Sequence, residues 1–148
     1  MKVIVAFFFI LLLSECKKDI QNNSVPNYWS LDGVKYNALQ LGLNNYFYVT
    51  HDSSGNSSIF IKFALDTITQ GTYSVADYQT SVTNLSRNGC VIWGATLKNS
   101  QFVTTGKSGD VVNVTKNSNG TFSFIFNNIS VTDSLNNILE VSGNLTSY

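Results

Sequence analysis

Apolar and polar residues alternate along most of the chain after residue 27. In residues 59–65 every odd-numbered position is large and apolar, whereas Lys62 lies between them. Phe122, Phe124 and Phe126 repeat the same two-residue period. Because successive side chains of a β-strand point to opposite faces, this period predicts strands with one face toward a core and the other toward solvent.

Turn-forming residues separate the alternating segments. Asp32-Gly33 divides two short β-prone runs and suits a type I′ hairpin. At Asn127-Asn128 the apolar phase shifts by one residue, which predicts a β-bulge within one strand. In residues 75–85 apolar side chains recur at helical spacing, but the residues between them are poor helix formers. The pattern therefore leaves open whether a short helix forms there.

The segments amount to about eight to ten short strands with no alternating helices. This pattern predicts an all-β fold, either an antiparallel β-sandwich or a small, partly closed barrel, and we favour the sandwich.

The longest unbroken apolar run lies at the N-terminus. Lys2 precedes residues 3–13, which are all apolar, and the polar Ser14 follows them. Such a run suits the central region of a secretory signal and falls short of the about 20 residues that span a bilayer. Residues 1–15 are therefore predicted to be an export signal.

The signal ends on a cysteine. Leu13-Ser14-Glu15-Cys16 resembles the lipobox of bacterial lipoproteins, although Glu15 stands where Gly, Ala or Ser is usual. The resemblance implies acylation of Cys16 and anchoring to a lipid bilayer. The alternatives for Cys16 are a disulfide with Cys90 and a plain secreted N-terminus. Cys90 itself is predicted to be a small, buried hydrophobic residue. Residues 16–27 are predicted to be the lipidated cysteine and a flexible tether, and residues 28–148 a single β domain.

Two further runs extend the resemblance. Residues 28–36, and residues 108–116 followed by 120–124, together with Cys16-Lys17-Lys18-Asp19, resemble a family of small Bacteroidota outer-membrane lipoproteins of unknown function. The resemblance implies a lipid-anchored place on the outer membrane, facing either the periplasm or the surface. It carries over no catalytic residue.

Charge and motifs predict no cofactor or metal. Nine basic residues balance nine acidic ones, and no basic patch indicates nucleic acid. Neither HExxH nor paired CxxC is present, and the turn at residues 52–56 lacks calcium-loop spacing. The one histidine, His51, is predicted in an exposed turn, which disfavours a Ser-His-Asp site. A glycoside-active enzyme with two carboxylates that meet in space is a distant alternative.

Tyrosine and tryptophan are abundant for a domain of this size. Because these rings also build sugar-binding platforms, Trp29, Tyr46, Tyr48 and Tyr78 are candidates to face a ligand. In residues 46–48 successive rings must point to opposite faces, so at least one is predicted on the outer face. The alternative is ordinary, half-exposed strand aromatics.

Two tripeptides match the short O-glycosylation motif of Bacteroidota secreted proteins. They are Asp66-Thr67-Ile68 and Asp133-Ser134-Leu135, and they make Thr67 and Ser134 candidate glycan carriers.

Two classes of function follow. The first is a membrane-anchored lipoprotein that acts as a non-catalytic binding or accessory module at the cell envelope, with a glycan or an envelope protein as partner. The second is a lipocalin-like carrier, in which inward Phe and Tyr line a cavity for a small apolar ligand.

Overall fold

Eleven β-strands and one helical turn account for the regular structure within residues 27–44, 47–81, 83–98 and 101–147, the part of the chain that this computed structural model describes. The strands are β1 (Tyr28–Leu31), β2 (Val34–Asn37), β3 (Gly42–Asn44), β4 (Phe47–His51), β5 (Ser58–Phe63), β6 (Gly71–Val75), β7 (Gly89–Ala95), β8 (Phe102–Thr104), β9 (Val111–Lys116), β10 (Phe122–Asp133) and β11 (Ile138–Thr146), and the helical turn is α1 (Tyr78–Ser81). The predicted signal, Cys16 and nearly all of the predicted tether lie outside the described residues.

The strands join into one sheet. Their hydrogen-bonded order is β2-β1-β11-β10-β9-β6-β7-β5-β4-β3. Strand β8 lies off this path and pairs with both β7 and β10, so that β10, β9, β6, β7 and β8 form a closed ring. The predicted all-β fold is confirmed, in a form between a sandwich and a partly closed barrel.

One strand pair departs from the antiparallel expectation. β6 and β7 run parallel, with Val75 opposite Cys90. Parallel neighbours cannot be joined by a tight hairpin and need a crossover connection. The chain supplies one between Val75 and Gly89, and α1 lies within it.

Two predicted turns are present. Asp32 and Gly33 have φ of 49° and 77°, the left-handed conformation that a type I′ hairpin between β1 and β2 requires. In β10 the register against β11 shifts between Phe126 and Ile129, and Asn128 has a φ of 51°. The predicted bulge is confirmed, and it keeps both Phe126 and Ile129 in the core.

The inward faces of the strands pack into one core. Ile59, Ile61 and Phe63 of β5 are buried, as alternation predicts. Leu65 is half exposed because β5 ends at Phe63, so the expected inward position of Leu65 is wrong. The core cluster also contains buried residues from the other strands and loops: Trp29, Leu31, Leu41, Ile68, Tyr73, Val75, Cys90, Ile92, Phe102, Val112, Val114, Phe124, Phe126, Ile129, Val131, Val141 and Leu145.

Aromatic side chains within this core contact one another. The ring of Phe63 lies 4.7 Å from that of Tyr73 and 5.9 Å from that of Phe124, measured between centroids. Full burial of one such side chain contributes about 1.5–3 kcal/mol.

Hydrogen bonds hold Asn27, the first described residue, in place. Asn27 accepts a hydrogen bond from the Ala38 amide at its carbonyl (2.9 Å) and another from the Thr146 amide at its side-chain oxygen (2.7 Å). These bonds hold the start of β1 against β11 and β2.

The hairpin turn between β10 and β11 lies at the other end of the sheet. Along β11, Asn144 pairs with Tyr28 at the start of β1, whereas Ile138 pairs with Thr132 beside the turn at residues 133–137. Asn144 lies six positions after Ile138 along β11, a distance of about 20 Å. The entry of the chain and this turn are therefore at opposite ends.

Candidate functional site

A row of five side chains crosses the outer face of the sheet. Val49, Phe60, Trp93, Val103 and Thr132 are successive register partners on β4, β5, β7, β8 and β10. Side chains of directly opposed residues share a face. All five are partly exposed, whereas the neighbouring side chains of Ile59, Ile61 and Ile92 are buried in the core.

Aromatic rings dominate the centre of this row. Phe60 and Trp93 stack with centroids 5.2 Å apart and planes within 5° of parallel. Phe47 meets both rings edge-on at 5.6 Å, and Tyr78 lies 5.3 Å from Trp93 at 51°. We call Phe47, Phe60, Tyr78 and Trp93 the aromatic platform. Each of these side chains is partly exposed, so the platform is accessible from solvent.

The connection between β6 and β7 brings Tyr78 to the platform. The Thr104 hydroxyl on β8 donates to the Ala76 carbonyl (2.8 Å), and Asp77 forms a backbone bridge with Thr105. Gly106 permits this close approach, because a Cβ there would lie 2.5 Å from the Asp77 nitrogen. The start of α1 is thus fixed against the end of β8.

A groove of about 350 Å³ lies over the platform. It is lined by the rings of Phe60, Tyr78 and Trp93 and by the amide side chains of Gln79 and Gln101, with Gly94, Ala95, Phe102 and Val103. Among these described lining residues none is charged. Amide side chains both donate and accept hydrogen bonds, so the groove combines apolar faces with neutral polar groups.

A second cavity of about 220 Å³ adjoins the groove. The two share the lining residues Gln79, Gln101, Phe102 and Val103. The second cavity, which we call the polar cleft, is completed by Thr132, Asp133, Ser134 and Asn136.

Asp133 orders the turn that walls the polar cleft. Its carboxylate accepts hydrogen bonds from the Leu135 and Asn137 amides (both 2.9 Å) and from the Asn137 side chain (3.0 Å). These bonds, that of the Asn137 side chain foremost, hold the pKa of Asp133 below its ordinary value. Asp133 is therefore ionised at neutral pH, with its oxygens directed into the turn.

The structure brings one of the four aromatic candidates to this site. Tyr78 belongs to the platform, and Tyr46 lies outside the described residues. Trp29 is fully buried and stacks on Tyr36 at 4.2 Å, so its expected place toward a ligand is corrected to a place in the core. Alternation accounts for this, because Trp29 shares a strand face with the buried Leu31.

Tyr48 is likewise a core-side residue. Its ring lies 5.1 Å from Phe124 and 6.1 Å from Phe63. Burial, with a smaller contribution from Tyr73, raises the pKa of Tyr48. The outer position expected within residues 46–48 is occupied by Phe47.

Sequence reasoning missed Phe60 and Trp93 as site residues. Phe60 occupies an even-numbered position in β5, on the same face as Lys62. A large aromatic on a face that otherwise carries a charged residue is the signal that could have found it.

The candidate glycan carriers lie in exposed segments. Thr67 is in a bend after β5, and Ser134 is in the turn between β10 and β11. Their glycosylation stays a prediction, and a glycan on Ser134, which also lines the polar cleft, would compete with a ligand there.

The polar residues around His51 make local contacts. His51 is exposed, but it is the last residue of β4 and not part of the turn as predicted, and its Nδ1 lies 2.9 Å from the hydroxyl of its strand partner Ser58. The neighbouring carboxylate of Asp52 accepts from the Ser54 hydroxyl and the Ser57 amide. These bonds, that of Ser54 foremost, lower the pKa of Asp52. Within the described residues no cluster of three or more His, Cys, Asp or Glu is placed to hold a metal ion.

No helix among the described residues has the length and apolar character needed to cross a bilayer. Comparison of the chain with protein-family models, with curated proteins and with solved structures finds no match. The groove must therefore be interpreted from its own chemistry.

Proposed function

We propose that this protein is a lipid-anchored, non-catalytic module of the cell envelope that binds carbohydrate in the groove over the aromatic platform. The observation that carries the proposal is the stacked, partly exposed pair of Phe60 and Trp93 beside the amides of Gln79 and Gln101. A sugar ring has a face of C–H groups that packs on an aromatic face. Its hydroxyl groups, at the rim of the ring, pair with neutral donors and acceptors such as these amides.

The preformed arrangement of the rings favours binding. Phe47 and Tyr78 pack against the stacked pair and restrict its motion. A ligand that binds ordered side chains loses less of its binding free energy to their immobilisation. Strands β4, β5 and β7 carry three of the four rings, and rigid elements position side chains better than loops do.

The proposed anchor suits this site. An acylated Cys16 would join the domain through a tether that reaches Asn27, at the end of the sheet opposite the turn that walls the polar cleft. Fully extended, the chain from Cys16 to Asn27 spans at most about 40 Å. In this arrangement the attachment point and the cleft are at opposite ends of the sheet, so the anchor leaves the cleft accessible to a glycan.

The test uses the only two tryptophans of the chain. The purified protein is titrated with neutral glucans, mannans, xylans, galactans and chitin oligomers, and binding is measured by calorimetry and by tryptophan emission. We expect at least one polymer to bind and Trp93→Ala to abolish that binding. The matched control is Tyr28→Ala, which removes a partly exposed ring on β1 that packs against Lys35.

Three results would contradict the proposal. They are the absence of binding to every polymer, equal binding by wild type and Trp93→Ala, and equal loss of binding in Tyr28→Ala. A protein partner captured through Trp93 without any glycan binding would assign the groove to protein recognition instead.

A further inference from the structure

The groove over the platform and the polar cleft lie side by side, and we call the two together the trough. Gln79 and Gln101 border both cavities, and Phe102 and Val103 of β8 lie between them. One end of the trough is aromatic and the other is polar. A ligand that fills both ends must therefore present an apolar ring face and, next to it, a group rich in hydrogen-bonding partners.

The length of the trough follows from the strand pairing. Trp93 pairs with Val103, and Val103 pairs with Thr132, so two interstrand spacings separate the aromatic end from the polar end. Two such spacings amount to about 10 Å. This distance exceeds the width of one sugar ring and suits a short chain of sugars.

The charges along the trough disfavour an acidic ligand. No lysine or arginine is among the described residues that line either cavity. Asp133 contributes a negative charge at the polar end, which opposes the approach of a carboxylate or sulfate. Besides Gln79 and Gln101, the neutral polar groups that line the polar cleft are the hydroxyls of Thr132 and Ser134 and the side-chain amide of Asn136.

Resting on the proposed function, we infer that the ligand is a neutral oligosaccharide whose successive sugars occupy the aromatic groove and the polar cleft. The sugar over Phe60 and Trp93 binds by stacking. The adjoining sugar lies beside Gln101 and hydrogen-bonds to Thr132 and Asn136. Asp133 acts through the turn that it orders, since its main-chain carbonyl accepts a hydrogen bond from the main-chain N–H of Asn136 (3.0 Å).

Two substitutions remove the polar contacts with little change to the fold. Thr132→Val replaces a hydroxyl by a methyl group of similar size at a partly exposed strand position. Asn136→Gly removes the amide side chain, and its φ of 63° is one that glycine adopts freely. Thermal unfolding of the double variant checks that it folds as the wild type does.

The experiment measures affinity against chain length. Glucose, mannose, xylose, galactose and N-acetylglucosamine are each supplied as the monosaccharide and as the linear hexamer. For the wild type we expect at least one hexamer to bind at least tenfold more tightly than its monosaccharide. We expect T132V/N136G to lose most of that ratio, and Trp93→Ala to lose binding of both the hexamer and the monosaccharide.

The outcomes separate this inference from the proposal on which it rests. Equal affinity for monosaccharide and hexamer, with binding still abolished by Trp93→Ala, overturns the extended site and leaves the aromatic site standing. A wild-type ratio retained in T132V/N136G overturns the assignment of the polar cleft. Absence of any binding, or binding indifferent to Trp93→Ala, overturns the carbohydrate site itself.

Discussion

Phe126 on β10 and Gly143 on β11 are direct register partners, and the Phe126 ring lies over the Gly143 backbone. A Cβ on Gly143 would approach the Phe126 Cζ to 2.3 Å. Phe102 and Gly94 repeat the arrangement on β8 and β7, where a Cβ would lie 2.4 Å from the Phe102 Cζ. Two of the largest core rings are thus accommodated by the absence of a side chain on the opposite strand.

Replacement of Gly143 by alanine should destabilise the domain. The added methyl group forces Phe126 from its position in a packed core, a type of overpacking that costs about 1–3 kcal/mol in the free energy of unfolding. Chemical denaturation measures the loss. The double variant Gly143→Ala/Phe126→Leu makes room for the methyl group and should be more stable than the sum of the single effects predicts. Strict additivity would show that the ring and the glycine are independent.

The two tryptophans should differ in their access to solvent. Trp29 is fully buried, whereas Trp93 is partly exposed on the platform. Trp93→Phe leaves only the buried indole, and we expect its emission to resist acrylamide. Trp29→Phe leaves only Trp93, and we expect strong quenching that a bound glycan reduces. Equal quenching of the two variants would place Trp93 away from the surface.

The Cys90 thiol should be unreactive in the folded protein. Burial raises the pKa of Cys90 to about 12, so almost no thiolate exists at pH 8. In a Cys16→Ser background Cys90 is the only thiol, and we expect it to react with a disulfide reagent only after denaturant is added. Rapid reaction under native conditions would contradict the buried position.

The same pKa predicts how stability depends on alkaline pH. The unfolded thiol ionises near pH 8.5 and the folded one near pH 12, so the folded state binds this proton more tightly. The contribution of the protonated Cys90 thiol to the free energy of unfolding is complete below about pH 8.5 and is lost as the pH rises toward 12. The stability difference between wild type and Cys90→Ala should therefore narrow over this range in denaturation experiments, whereas a constant difference would indicate no linkage.

Asp133 should stabilise the turn between β10 and β11 in its ionised form. Because its folded pKa is lowered, the contribution is present above the unfolded value near 4 and is lost as the pH falls through the folded value. The difference in unfolding free energy between wild type and Asp133→Asn should be full at pH 6 and should shrink below about pH 4. Asp133→Asn should also lower the affinity ratio of hexamer to monosaccharide, because Asp133 orders the turn that carries Asn136. The matched control for this ratio is Asp52→Asn, which alters a turn away from the cleft and should leave the ratio unchanged.

Alternation predicted most strands because one face of each is consistently apolar. It did not predict which rings face outward. Phe60 lies between Ile59 and Ile61, so both faces of β5 carry large apolar groups, and only the pairing with Trp93 shows that the outer ones form a platform. Trp29 could have been assigned to the core, because it lies two residues before the apolar Leu31 and therefore on the same face of β1.

The alternation of apolar and polar residues could not predict contacts between segments that are distant in the sequence. β3 consists of Gly42–Asn44 and shows no alternation, because it takes its register from β4. The parallel pairing of β6 with β7 and the double pairing of β8 depend on residues far apart in sequence. The site is built at these junctions, and local propensity carries no information about them.

The double pairing of β8 has a consequence for the motions of the domain. With only Phe102–Thr104, this strand completes the ring between β7 and β10, and its Phe102 and Val103 also line both cavities. Few hydrogen bonds have to break for the ring to open at β8, so its amides are expected to exchange with solvent deuterium sooner than those of the long β10–β11 pair. A sugar chain bound across β8 would have to dissociate before that opening, so occupancy of the trough should slow exchange at β8 and lengthen the lifetime of the closed ring.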